Sequence, residues 1–211
     1  MSPCTVPIGL LLALLAGFVS QTAEQKRDAD DAATLVEVLN LRPGSTVADI
    51  GAGGGALEPA ISRAIGAEGR LYATDISTDR LADIRKVIAS ASLSNVTVLQ
   101  SAAAETNLPA DCCDAIFMRL VYHHFGDPPA MNASLLRSLK PGGRLAVLEF
   151  RPTSGVTAAP GKRAEGNSHG AMPATVIEEL TAAGFADVRE VPWPSAPTFA
   201  VVAERAERPG K

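Results

Sequence analysis

No run of lysine and arginine stands out in this 211-residue chain, whose formal net charge is −4 and whose pI lies near 5.4. The electrostatic footprint of a nucleic-acid binder is therefore missing. No nucleic-acid partner is expected; a small molecule is. Cysteine is scarce as well. Of the three present, Cys4 falls in an N-terminal apolar stretch, which leaves Cys112 and Cys113. No C-x-x-C or comparable ligand spacing occurs, so no metal site is expected. Adjacent cysteines rarely pair, because a disulfide across one peptide bond is strained. The two read as small residues entering a strand, with a redox or thiophilic-metal role as the alternative. Internal repeats are absent, and nothing marks a second domain. The length suits one domain, and a hydrophobic fraction of 46% supplies a core.

Charge is also absent from the N-terminus, where nothing charged precedes Glu24. Residues 8–19 form an unbroken apolar run. It is shorter than the roughly 20 residues of a membrane span and fits the apolar region of a secretory signal. Yet no lysine or arginine precedes it, and a cut after Ala23 would put Gln21 where a small residue is usual. Lys26 and Arg27 follow the run, which favours a cytoplasmic domain if the segment stays as an anchor. The expectation is export, or membrane association through residues 8–19, with a cytoplasmic protein as the alternative. Residues 1–23 are set apart from a domain over 24–205 and a disordered tail over 206–211. Oligomeric state is not legible.

Beyond the leader, residues 24–40 carry a helical stripe of Ala32, Leu35, Val36 and Leu39. Asp28, Asp30 and Asp31 suit its early turns. Strands then alternate with helices: strands at 46–50, 70–74, 96–100, 115–120 and 144–150, helices at 56–65, 79–91 and 130–139. Pro141-Gly142-Gly143 reads as a sharp turn and residues 151–170 as a loop. A helix at 173–183, with Gly184 just past its end, precedes strands at 187–191 and 198–204. Short strands alternating with longer helices predict an α/β fold, a parallel sheet with helices on both faces. Ligands of such sheets sit beyond the carboxyl ends of the strands, at the topological switch. That rule selects residues 49–55, Asp75, the 101–108 loop, 119–124 and 149–151.

One stretch is more informative than the rest. Val47-Ala48-Asp49-Ile50 runs into Gly51-Ala52-Gly53-Gly54-Gly55-Ala56, glycines spaced G-x-G-x-x-A. Gly51 and Gly53 permit a tight strand-to-helix turn that a ligand can approach closely, and the next helix turns its free N–H groups toward it. Nicotinamide, flavin and S-adenosylmethionine sites all use such a loop. Asp49 discriminates: a carboxylate before the first glycine repels a pyrophosphate but suits an ammonium and a sulfonium. Asp75, ending the second strand, can accept both hydroxyls of a ribose.

Four segments in order carry a resemblance. They are Val-Ala-Asp-Ile-Gly-Ala-Gly-Gly-Gly at 47–55, Leu-Tyr-Ala-Thr-Asp-Ile-Ser at 71–77, Asp-Ala-Ile-Phe-Met-Arg-Leu-Val-Tyr-His-His-Phe at 114–125, and Leu-Lys-Pro-Gly-Gly-Arg-Leu-Ala-Val-Leu-Glu-Phe at 139–150. Over residues 30–204 the chain resembles the class I S-adenosylmethionine-dependent methyltransferases, most strongly their quinone-ring and related small-molecule branch. The resemblance implies a Rossmann-like three-layer αβα sandwich whose seven-stranded sheet is parallel except for its last strand. It implies S-adenosyl-L-methionine as cofactor and a small organic acceptor. Gly51, Ala52, Gly53 and Gly55 would hold the methionine end, Asp49 its cationic groups and Asp75 the ribose, with Ile76 and Arg119 beside them.

The adenine site departs from the pattern, because alanines occupy the positions expected to be acidic. Either Glu105 reaches the adenine or backbone groups of Ala103 and Ala104 read it. Tyr122, His123 and His124 follow the fourth strand, where the methyl group should point, and are the candidate catalytic residues. Histidine titrates near neutrality and can take a proton from a phenol, hydroxyl or enol-like carbon. The plainer alternative is one packed and one solvated histidine. Glu149 and Arg151 flank the same crevice, and His169 lies in the loop before the last helix. No Asn-Pro-Pro-aromatic tetrapeptide occurs, and the one Pro-Cys pair is in the leader, which sets nucleic-acid acceptors aside. A non-catalytic S-adenosylmethionine binder and a nicotinamide-dependent reductase stay open as rival readings.

Overall fold

The computed structural model describes residues 8–194 and 197–208, with side chains from residue 23 onward. The reading of residues 8–19 as a signal or anchor therefore lies outside the described side chains. Among the described residues no helix is long and apolar enough to cross a membrane.

Seven strands form one sheet in the order β3-β2-β1-β4-β5-β7-β6. The strands are β1 (Thr46–Ile50), β2 (Arg70–Asp75), β3 (Val96–Gln100), β4 (Cys113–Arg119), β5 (Leu139–Phe150), β6 (Ala186–Val191) and β7 (Thr198–Glu204). β1 to β5 pair in parallel, while β7 runs antiparallel to both β5 and β6. The helices are α1 (Ile8–Val38), α2 (Glu58–Ile65), α3 (Thr78–Ser90), α4 (Pro128–Ser138) and α5 (Pro173–Ala182). The expected three-layer sandwich is what the chain forms.

Strand alternation divides the core between the two faces. Val47, Ala115 and Phe117 pack with Leu35, Ile61 and Ile65 from α1 and α2. Ala48, Ile116 and Met118 pack with Met131, Leu135 and Val176 from α4 and α5. Both faces are covered, so the central strands are largely apolar, with Asp49, Arg119 and Glu149 as charged exceptions toward their carboxyl ends.

Three local expectations need correction. Pro141-Gly142-Gly143 is not a turn between elements but part of β5, whose pairing with β4 slips between Cys113 and Ala115. Gly142 N–H donates to the Arg205 carbonyl at 2.8 Å, and Arg205 N–H donates to Gly143 at 2.8 Å, so the strand ladder continues through the glycines. The tail is accordingly held as far as it is described. The Arg205 guanidinium donates to the Leu136, Arg137 and Leu139 carbonyls at the end of α4, and Arg208 pairs with Asp111 at 2.8 Å. Finally, Cys112 and Cys113 are joined in a disulfide, Cα–Cα 3.7 Å. A regular strand would have sent their side chains to opposite faces. The left-handed Asp111 (φ 51°) and the register slip at Cys113 interrupt that alternation.

The sheet order reverses between β1 and β4. Beyond their carboxyl ends the chain must diverge in two directions, and a crevice opens there.

Candidate functional site

A cavity of about 620 Å³ fills the crevice, walled by Gly51 and Gly53, Asp75 and Ile76, Ser101 to Ala103, and Arg119 to Val121 with His124. The glycine turn is fixed from below. Ala52 N–H donates to the Thr74 carbonyl at 2.8 Å, and Thr74 Oγ1 donates to the Asp49 carbonyl at 3.1 Å. Gly51 has φ +68°, and a Cβ there would lie 2.6 Å from Val121 Cγ2, so no larger residue fits without displacing β4's exit. Gly53 has φ +58° with open space where its Cβ would stand, on the cavity wall. The bare backbone is thus offered to a ligand.

Asp75 ties two elements together. Its Oδ2 accepts from Gly53 N–H at 3.0 Å and its Oδ1 from Ser77 N–H at 2.9 Å. Ser77 in turn caps α3 by accepting from Arg80 N–H. Each carboxylate oxygen keeps a further lone pair for a donor in the cavity. Ile76, beside it, is 58% exposed, and Leu120 across the cavity is 41% exposed. Leu120 also has φ +59°. A bulky residue in that region costs on the order of 1–2 kcal/mol, so β4 ends in a strained corner that presents an apolar surface to the cavity.

Asp49 and Glu58 lie behind the turn, both buried. Burial, then the charge of Glu58, raises the Asp49 carboxyl well above its usual range. Burial also pushes Glu58 up to about 7. Neither oxygen of Glu58 has a hydrogen-bond partner. A buried acid without a donor, set against a second buried acid, is an arrangement that a nearby cation would stabilise. Asp49 was expected here; Glu58 was not, since an acid in the first turn of a helix ordinarily reads as a partner of the helix dipole.

The sign of the resulting pH dependence is fixed. Glu58's folded value is raised above the unfolded one, so its contribution to stability is whole below about 4.5 and is lost as pH rises through about 7. Urea unfolding of the ligand-free chain is expected to show stability falling across that window by up to about 1.4 kcal/mol per pH unit. Glu58→Gln should flatten the slope; an identical slope in that variant would remove Glu58 as its source.

Glu105 does not line the cavity. It accepts from Ser134 Oγ at 2.5 Å and from Arg137, and these bonds, Ser134's first, hold its carboxyl below the usual range. Ala102 and Ala103 line the cavity instead, and Ala104 does not. Arg119 does face it, but its Nη1 is held by Asp28 at 2.6 Å and Asp31 at 3.1 Å. These α1 acids, expected to serve the helix dipole, bind a guanidinium across the crevice. Asp31 also accepts from Trp193 Nε1 at 2.8 Å.

Tyr122, His123 and His124 form one turn of 3-10 helix. Three residues per turn send consecutive side chains in three directions, so the trio is dispersed. His124 reaches the cavity; burial, then the charges of His123 and His169, lowers its ring below the ordinary histidine range. Tyr122 points away. It is buried, donates to Glu179 Oε2 at 2.8 Å and accepts from Asn132 Nδ2 at 2.9 Å. Burial raises its phenol further from ionisation. The expectation that Tyr122 meets the acceptor is therefore corrected. His123 is buried between the others, with Nδ1 2.7 Å from Glu149 Oε2 and Nε2 2.9 Å from His169 Nε2. Arg151 turns outward to Glu190 at 2.5 Å, over the Phe199 ring.

Residues 48–147 match the family model described as Methyltransferase domain. The Ubiquinone/menaquinone biosynthesis C-methyltransferase UbiE of Vibrio vulnificus (strain YJ016) is 36% identical over 116 residues, which are 54% of this chain and 45% of that protein. The chain thus spans about half the length of the curated relatives it matches. The crystal structure of a SAM dependent methyltransferase from Aquifex aeolicus superposes with TM-score 0.72 at 26% identity, over 85% of this chain and 92% of that one. The [4+2]-cyclase SpnF superposes with TM-score 0.71 at 17% identity, over 85% of this chain and 82% of its own, a likeness of fold alone.

Proposed function

We propose that this chain, whose residues 48–147 match the methyltransferase-domain model and whose fold is that of a SAM dependent methyltransferase, transfers a methyl group from S-adenosylmethionine to a small organic acceptor seated beside His124. The observation that carries the reading is the carboxylate arrangement at the glycine turn. Asp75 faces the cavity with free lone pairs, and behind the turn the buried acids Asp49 and Glu58 lie together, Glu58 with no protein donor to either oxygen. A dinucleotide's pyrophosphate would meet repulsion there; a ligand with an ammonium, a sulfonium and a ribose diol satisfies every group.

The residues fit the cofactor as follows. Gly51 and Gly53 would give its methionine end close access to backbone, with Asp49 and Glu58 balancing its positive charge. Asp75 would accept from the ribose, while Ile76 covers an apolar face and the Ala102–Ala103 backbone lies along the adenine side. When bound, the cofactor supplies an electrophilic methyl carbon. The protein's part is then to position the acceptor and exclude water. Leu120, Val121, Phe125 and Met131 make that wall apolar, which suits an aromatic or quinonoid acceptor better than a charged one.

Two measurements test this together: calorimetry with S-adenosylhomocysteine, and label transfer from S-adenosylmethionine to a panel of phenols, quinones and amines. Binding with turnover of at least one acceptor is expected. Binding with no turnover on the whole panel would favour a non-catalytic binder, and tight NADH binding without S-adenosylhomocysteine binding would restore the reductase reading.

A further inference from the structure

Three histidine rings from two distant segments meet at the acceptor side of the cavity. His123 and His124 come from the turn after β4, and His169 from the loop before α5. One ring nitrogen of each lies within 4.8 Å of those of the other two. His123 Nε2 and His169 Nε2 are 2.9 Å apart. We propose that His123, His124 and His169 form a binding site for one divalent transition-metal ion, of the zinc or cobalt type, facing the acceptor.

The protonation pattern supports it. Glu149 is fully buried and accepts three times: Oε2 from the His123 backbone N–H at 3.1 Å and from His123 Nδ1 at 2.7 Å, and Oε1 from the Phe150 N–H at 2.9 Å. An acceptor so placed keeps the proton on His123 Nδ1, and leaves the Nε2 lone pair aimed at His169. A carboxylate behind a ligating imidazole, fixing its tautomer, is the usual outer shell of a histidine-bound metal. The spacing agrees as well. A metal–imidazole bond of about 2.1 Å puts neighbouring donors about 3.0 Å apart in an octahedral shell and about 3.4 Å in a tetrahedral one. The His123–His169 pair meets the first value and needs a few tenths of an ångström for the second.

Donor type selects the ion. Three neutral imidazoles with no carboxylate or carbonyl oxygen favour zinc, cobalt, nickel or copper over magnesium or calcium. Three protein ligands also leave a coordination position open. Since His124 lines the cavity, that position faces the acceptor and suits an acceptor oxygen, a role that rests on the methyl-transfer reading above. Phe150 packs against the cluster, its ring meeting His169 edge-on at 4.8 Å and His123 at 5.3 Å between centroids.

The test uses the full chain, stripped with a chelator and titrated with Co²⁺, then with Zn²⁺. One Co²⁺ per chain, with visible ligand-field absorption that Zn²⁺ abolishes, is expected. His169→Ala and His124→Ala should each weaken uptake about 100-fold or more, and Glu149→Gln about 10- to 100-fold. His169 does not line the cofactor cavity, so its variant should keep the S-adenosylhomocysteine affinity of the parent chain. Absence of stoichiometric Co²⁺ uptake would overturn the site, as would uptake unchanged in the His124→Ala/His169→Ala double variant. The 2.9 Å contact would then be a hydrogen bond sharing a proton. Metal uptake is read without turnover: a chain that binds Co²⁺ but methylates nothing loses only the methyl-transfer reading, and one that methylates but takes up no Co²⁺ loses only this one.

Discussion

Replacing Arg163 with alanine is expected to lower the unfolding free energy by about 3–5 kcal/mol, the scale for breaking one side of a buried ion pair. Arg163 is only 3% exposed. Its Nη2 and Nη1 lie 2.5 and 3.1 Å from the two oxygens of Glu179, and its Nε donates to the Ala158 carbonyl at 2.9 Å. Glu179 Oε2 also accepts from the buried Tyr122 hydroxyl. Without the guanidinium, a half-enclosed carboxylate is left with one neutral donor. The loop 151–172 loses its ion-paired tie to α5 and keeps only neutral ones, such as Thr157 Oγ1 accepting from Met172 N–H and Thr175 Oγ1. The urea midpoint should fall with little change in slope. Arg163→Ala/Glu179→Gln should recover part of the loss, since removing both charges costs less than stranding one. A single-variant loss under about 1 kcal/mol would mean that the pair is solvated in solution.

Asp75→Ala is expected to weaken S-adenosylhomocysteine binding by about 1.5–3 kcal/mol, roughly 10- to 150-fold in Kd. The carboxylate both faces the cavity and holds Gly53 and Ser77. Its loss therefore removes a ligand contact and loosens the turn that shapes the site. Thermal melting of the ligand-free variant separates the two effects. A variant that binds as the parent does would leave the ribose contact without support.

What the sequence disclosed and what it hid follow from how far apart the interacting residues lie. The glycine turn, Asp49 and Asp75 were legible because each is set by a strand end and its own next few residues. All seven strands were found within a few residues of their ends, since alternation and glycine punctuation are local signals. Tyr122 was misplaced because adjacency in sequence says nothing of direction once the backbone winds into a 3-10 turn. The meeting of His169 with His123, the clamp of Arg163 on Glu179, and the grip of Asp28 and Asp31 on Arg119 all join separate elements, and no spacing announces them. Glu58 had one available signal, an acid immediately after a glycine turn that already carries Asp49. The Pro-Gly-Gly stretch misled for another reason: those residues usually break strands, and here the ladder to Arg205 carries the strand through them.

β7 lies between β5 and β6 although it is made after both, and five of its seven residues are buried. A nascent chain that has released β6 must leave a slot beside β5 until the last strand emerges from the ribosome. Until then the edge of β5 stays unpaired and available to other chains. The C-terminal segment thus acts as the closing piece of assembly, so a shortened transcript lacking it would forfeit β6 as well and aggregate rather than fold in part.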